Sequence, residues 1–84
     1  MALYLSTELQ EIIENVIVEL VCAQGNFEDF NSAHEGYAVL KEEVDELWDE
    51  IKKKKRNASN MKKEANQVAA MAIRFIYDCC KEAK

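Results

Sequence analysis

Proline is absent from this chain and glycine occurs only twice, a composition that argues against folds built from strands and tight turns. The length of 84 residues allows one domain, spanning residues 1–84. We therefore predict an all-α fold, an antiparallel bundle of about three long helices joined by short connections. Hydrophobic residues make up 49% of the chain, which is high for so short a helical protein, so we expect homo-oligomerisation to complete the bundle.

The first helix is predicted from apolar residues that recur at helical spacing. Ser6 or Thr7 can cap its start, and Gly25-Asn26 resembles a C-terminal cap. Its apolar stripe predicts an ordinary core-forming helix, through Leu9, Ile12, Ile13, Val16, Ile17, Leu20 and Val21.

The second helix is predicted to begin at Ser32, where Glu35 three residues later completes a capping box. We expect it to run to about Lys55. The third helix is predicted to start with Ser59 or Asn60 as its cap and to continue towards the C-terminus.

A stripe of acidic residues follows one border of the apolar face of the second helix. Glu43, Glu46 and Glu50 gather there, whereas Asp45 and Asp49 point further round towards solvent. Like charges at this spacing repel each other, and a cation between them would turn repulsion into ligation. Carboxylate oxygens suit Mg²⁺, although a solvated acidic face has the same pattern.

The third helix carries a polar border of its own. Glu64 and Gln67 lie three residues apart and would face the acids of the second helix if the two helices pack antiparallel. Arg74 has two interpretations: it meets a phosphate, or it forms a salt bridge with Asp78 four residues later.

The remaining faces of the third helix are apolar, which predicts burial on several sides. We expect Ala70, Ile73 and Tyr77 to lie at a subunit interface. His34 is expected at the surface or as a cap residue, and Trp48 in the core or at an interface.

The formal net charge of −5 makes binding to nucleic acid unfavourable. The basic residues cluster at 52–56 and at Lys62 and Lys63, which indicates a solvated helix end or, alternatively, lysines that attract the phosphates of a ligand. No apolar run suggests a membrane span, and the first residues predict no signal peptide. The three cysteines lack metal-ligand spacing, so we expect free thiols in the cytoplasm.

Two motifs together resemble a known family. The first is Glu42-Glu43-Val44-Asp45-Glu46, of the form E-E-x-x-E, and the second is Glu64-Ala65-Asn66-Gln67 about 20 residues later. This arrangement is similar to the MazG-like superfamily of all-α nucleoside triphosphate pyrophosphatases, especially the short bacterial and phage members. The resemblance covers roughly residues 34–78.

The resemblance implies a dimer or tetramer that uses Mg²⁺, with Mn²⁺ as a possible substitute, to cleave a nucleoside triphosphate into the monophosphate and pyrophosphate. It assigns metal binding to Glu43, Glu46, Glu64 and Gln67. Glu42 or Glu46 would accept the proton of the attacking water. Arg74 and Lys63 would contact the substrate.

One position departs from the family motif, because Gln67 stands where an Asp is expected. An amide oxygen can coordinate Mg²⁺ but brings no charge. Two alternatives therefore accompany the enzyme hypothesis. One is a catalytically weak or inactive oligomer that binds nucleotide or metal, and the other is a purely structural helical oligomer.

Overall fold

A computed structural model describes residues 4–83, which contain three helices and no strand. Helix α1 spans Thr7–Asn26, α2 spans Ala33–Ile51 and α3 spans Ala58–Cys79. The prediction of an all-α fold with three helices is confirmed. Among these helices none combines the length and apolar character that a bilayer span requires.

Side-chain caps fix the starts of α1 and α2 as the sequence predicts. Ser6 Oγ accepts a hydrogen bond from the backbone N–H of Leu9 at 3.2 Å, and Ser32 Oγ accepts one from Glu35 at 3.1 Å. The capping box differs in its second half, because the Glu35 carboxylate accepts from the backbone N–H of Asn31 instead of Ser32. Both caps satisfy N–H groups that have no partner within the helix.

The connection between α2 and α3 differs from the prediction at both ends. Helix α2 ends at Ile51 and not at Lys55, and the Arg56 side chain donates to the Ile51 carbonyl at 2.8 Å. Helix α3 starts earlier than predicted, because Asn57 is its cap and accepts from the backbone N–H of Asn60. Ser59 and Asn60 therefore lie in the first turn.

Helices α2 and α3 form an antiparallel pair. The start of α2 meets the end of α3, where the Asp78 carboxylate accepts from the backbone N–H of Phe30 at 3.1 Å. Gly36 permits close packing there, since a Cβ at this position would stand 2.8 Å from the Phe75 ring. Helix α1 packs on α3, and its backbone makes no close approach to α2.

The core within one chain is small. Its buried apolar residues are Val16, Ala23, Ala70 and Met71. Ala70 is fully buried there, so its predicted place at a subunit interface is wrong; the sequence did not reveal which face of α3 turns inward. Ile73 and Tyr77 remain partly exposed, and Trp48 is 56% exposed and lies outside the core.

The expectation that α1 is an ordinary core helix is also wrong for one chain. Of its predicted apolar stripe, Val16 is buried and Leu20 is half-buried. The other five residues are exposed, because α1 has only α3 to pack against. Cys22, Cys79 and Cys80 are free thiols.

Candidate metal centre

Three glutamates from two helices converge on one point. Helix α2 supplies Glu43 and Glu46, one turn apart, and α3 supplies Glu64. Each offers a carboxylate oxygen, and these oxygens all lie within 4.8 Å of one another. Antiparallel packing thus brings together three of the four residues that the sequence assigns to the metal.

The convergence is electrostatically unfavourable without a cation. Partial burial, together with the nearby Glu46 carboxylate, raises the pKa of Glu43 to about 7. Burial also raises the pKa of Glu64, with Glu46 contributing in the same direction and Lys63 opposing it. A divalent cation would relieve this repulsion, so the residues present fit a hard ion with oxygen ligands such as Mg²⁺.

A fourth carboxylate lies beside the cluster and was not assigned to the site from the sequence. Glu50 is one turn beyond Glu46 on α2, and its negative charge contributes to the raised pKa of Glu64. Its Oε2 accepts from Lys53 at 2.7 Å, whereas its buried Oε1 has no hydrogen-bond partner among residues 4–83. Its place on the same helix border as Glu43 and Glu46 was the available signal.

Gln67 lies one turn from Glu64 and bridges two helices. Its Nε2 donates to Glu19 Oε2 of α1 at 2.9 Å in a half-buried setting. Glu19 is therefore a neighbour of the site that the sequence analysis missed, because helical periodicity alone does not reveal contacts between α1 and α3.

Among residues 4–83, Arg74 is the only charged residue that is buried. Its guanidinium lies 4.4 Å from the centre of the Phe30 ring and donates to the Glu28 carbonyl at 2.9 Å. The alternative salt bridge with Asp78 is not formed, since that carboxylate accepts from Phe30 instead. Arg74 thus holds the connection between α1 and α2 against α3.

The cluster borders a cavity of about 650 Å³ between α1 and the α2–α3 pair. Glu43 and Gln67 line its side nearest the acids, and Arg74 lines it further along α3. Such a volume falls in the range of small-molecule sites. One carboxylate of the cluster, Glu43, and the Arg74 guanidinium thus line the same cavity, although they belong to separate parts of the sequence.

The other predicted residues lie around the cluster. Glu42 is exposed next to Glu43 and contributes to its raised pKa. Lys63 is exposed beside Glu64. Asp45 and Asp49 point to solvent as predicted, where they pair with Lys41 and Lys52, each at 3.0 Å.

Comparison with protein families, with curated proteins and with solved structures found no match to this chain. The candidate function therefore rests on the residues themselves. Their arrangement provides oxygen ligands for a divalent cation beside a cavity large enough for an organic ligand.

Proposed function

We propose that the protein is a Mg²⁺-dependent nucleoside triphosphate pyrophosphohydrolase that works in the cytoplasm as a homodimer or homotetramer. One observation supports this above the others: carboxylates from α2 and α3 converge within 4.8 Å beside a cavity. The two motifs that resemble the MazG-like superfamily supply these same carboxylates. Mn²⁺ is the expected substitute metal.

The proposed reaction is a water attack on the α-phosphorus of the substrate. A new oxygen–phosphorus bond forms while the bond to the bridging oxygen breaks, and pyrophosphate leaves with the electron pair. Bound Mg²⁺ would offset negative charge on the phosphates and help to activate water. Glu42 or Glu46 accepts the proton of that water. Glu43, Glu46, Glu64 and Gln67 hold the metal, and Lys63 and Arg74 contact the substrate.

A panel of nucleoside triphosphates, each with Mg²⁺ or Mn²⁺, tests this proposal. Products are resolved as monophosphate plus pyrophosphate or as diphosphate plus phosphate. We expect the first pair, and we expect Glu43→Gln to abolish its formation. Asp45→Asn is the matched control, because it removes the same charge from the exposed side of α2. Release of phosphate alone, or equal turnover by Glu43→Gln, contradicts the proposal.

A second candidate function is binding without hydrolysis. Gln67 favours it, because this residue brings no charge to the cluster and its amide nitrogen is already bonded to Glu19. A protein of this kind would gain stability from Mg²⁺ or nucleotide by binding them in the native state, yet form no product. A purely structural oligomer would gain no more from Mg²⁺ than from sodium salt at equal ionic strength.

A further inference from the structure

The chain exposes more surface than a compact protein of its mass. Its accessible area is 6770 Å², whereas a folded monomer of 9.7 kDa is expected to expose about 5,100 Å². The surplus is thus roughly 1,600 Å², and a standard interface removes roughly 800 Å² from each partner. This surplus is enough for an extensive contact with another protein chain.

Several of the most exposed apolar side chains lie on α1. We define the apolar α1 surface as six side chains that are each between 44% and 62% exposed: Leu9, Ile12, Ile13, Ile17, Val18 and Val21. Helix α1 leans on α3 alone, so its own chain leaves this surface open. Leu9, Ile13, Ile17 and Val21 recur at intervals of four residues and so form one row along the helix, and an exposed apolar row of this kind is typical of an interface.

The charges of the chain are segregated along the sequence. Helix α1 carries four glutamates and no basic residue: Glu8, Glu11, Glu14 and Glu19. The basic segment, residues 52–63, carries seven lysines and arginines and no acid. Lys52 and Lys53 pair with acids at the end of α2. The other five basic residues of the segment, and the four α1 glutamates, have no ion pair within residues 4–83.

One of the acidic residues of α1 shares a face with two of its apolar residues. Glu14 precedes Val18 by one turn and Val21 by two turns, so these three side chains lie along one line of the helix. A partner that covers the two valines must therefore bring positive charge next to Glu14. The chain itself contains such a surface in its basic segment.

We propose that α1 is the docking helix for a second copy of this chain, with its glutamates against the basic segment of that copy. In a two-fold dimer each chain supplies both surfaces, so the complementary contact forms twice. The proposal specifies the surfaces of the self-association stated above and is independent of nucleotide hydrolysis.

The apolar half of the proposal is tested by the double variant V18D/V21D. Both valines are at least 60% exposed in one chain, so the change should leave the helical circular dichroism of the monomer intact. We expect it to raise the dimer dissociation constant at least about tenfold, because it places charges in an apolar contact. A38D adds a charge at an exposed position of α2, outside both proposed surfaces, and should dissociate like the parent.

The charge half is tested by mixing two reversed variants, E8K/E11K/E14K and K54E/K55E/K62E, which leave the bond from Arg56 to the Ile51 carbonyl in place. Each alone places like charges across both contacts and should be monomeric by light scattering at low salt. In an equal mixture both contacts become attractive again, so the mass should return to that of the parent oligomer. This restoration does not depend on either variant being a good homodimer.

Three results overturn the proposal. The parent chain stays monomeric at high concentration, V18D/V21D associates as the parent does, or the mixture is no heavier than its separate components. Nucleotide turnover by the parent is measured separately and bears on the proposed function alone.

Discussion

At the scale of single residues, Glu43 links folding to pH. Its pKa is about 7 in the folded chain, against about 4.5 when unperturbed. The folded state therefore holds this proton more tightly than the unfolded state does. The associated stability is fully present below about pH 4.5 and is lost as the pH rises through about 7. Metal binding has the opposite dependence, because a ligand carboxylate must be deprotonated.

We accordingly predict that the metal-free protein melts at a lower temperature at pH 8 than at pH 5, with part of this difference due to Glu43. Glu43→Gln stays neutral at both pH values, so its unfolding free energy at pH 8 should exceed that of the parent by on the order of 1 kcal/mol. Thermal melts in chelator measure this effect. Asp45→Asn should keep the parent's dependence of melting temperature on pH. The same dependence in Glu43→Gln would show that repulsion in the cluster does not lower the stability of the folded chain.

Gln67→Asp distinguishes the effect of position 67 on Mg²⁺ binding from its effect on the stability of the metal-free fold. A carboxylate at this position should tighten Mg²⁺ binding, because hard cations gain from ligand charge. In chelator the Gln67→Asp change should lower the free energy of unfolding by about 1–2 kcal/mol. The hydrogen bond from the Gln67 amide to Glu19 is lost, and two carboxylates then face each other. Adding Glu19→Gln should recover the stability and keep the tighter binding. Equal Mg²⁺-induced melting shifts in parent and variants would place Gln67 outside the metal site.

At the scale of helices, the two glycines make a matched pair. A methyl group at Gly36 would meet the rings of Phe75 and Phe30 at 2.8 and 3.1 Å, where α2 and α3 cross. A methyl group at Gly25 would meet nothing within 4 Å. We predict that Gly36→Ala destabilises the protein by about 1–3 kcal/mol through overpacking. Gly25→Ala should be neutral or stabilise it by up to about 1 kcal/mol through helix propensity.

Denaturant melts of both variants check this prediction. Loss of stability in Gly25→Ala, or none in Gly36→Ala, would mean that the helices pack differently from this arrangement.

The helices were predictable where local chemistry decides them. Ser32 was identified, and Ser6 was one of two candidates, because a side-chain hydroxyl before an apolar repeat can accept from a free N–H of the first turn. The end of α2 was not predicted correctly, because the lysine run continues a helical composition. The helix ends where the Arg56 side chain folds back to the Ile51 carbonyl. Asn57 was missed because this link holds three polar residues, Asn57, Ser59 and Asn60, that are all acceptable caps.

The candidate site, too, was predictable where helical periodicity positions a residue and unpredictable where distant segments meet. Periodicity placed Glu43 and Glu46 on one border, and antiparallel packing of α2 on α3 added Glu64. The bond from Gln67 to Glu19 joins residues 48 positions apart, and no periodicity within one helix predicts it. Arg74 was recognised as important, yet its partners lie in an irregular connection whose path only the folded chain defines.

At the scale of the whole molecule, a core of few buried side chains leaves the isolated chain marginally stable. If copies of the chain complete the core, folding is coupled to association. We predict that the melting temperature rises with protein concentration, by mass action. Thermal melts over a dilution series of about a hundredfold in protein concentration test this prediction. The melting temperature of V18D/V21D should depend less on concentration than that of the parent. A melting temperature of the parent that does not change on dilution would indicate a self-sufficient monomer.

The attachment of α1 to α3 alone has a consequence for motion. Helices α2 and α3 support each other along their length, whereas α1 can detach without breaking that pair, so the chain contains two units of unequal opening free energy. Amide protons of α1 should exchange with solvent first. The hydrogen bond from Gln67 to Glu19 joins α1 to α3, so opening of the first helix would break this bond while the three glutamates of the cluster, on α2 and α3, stay together.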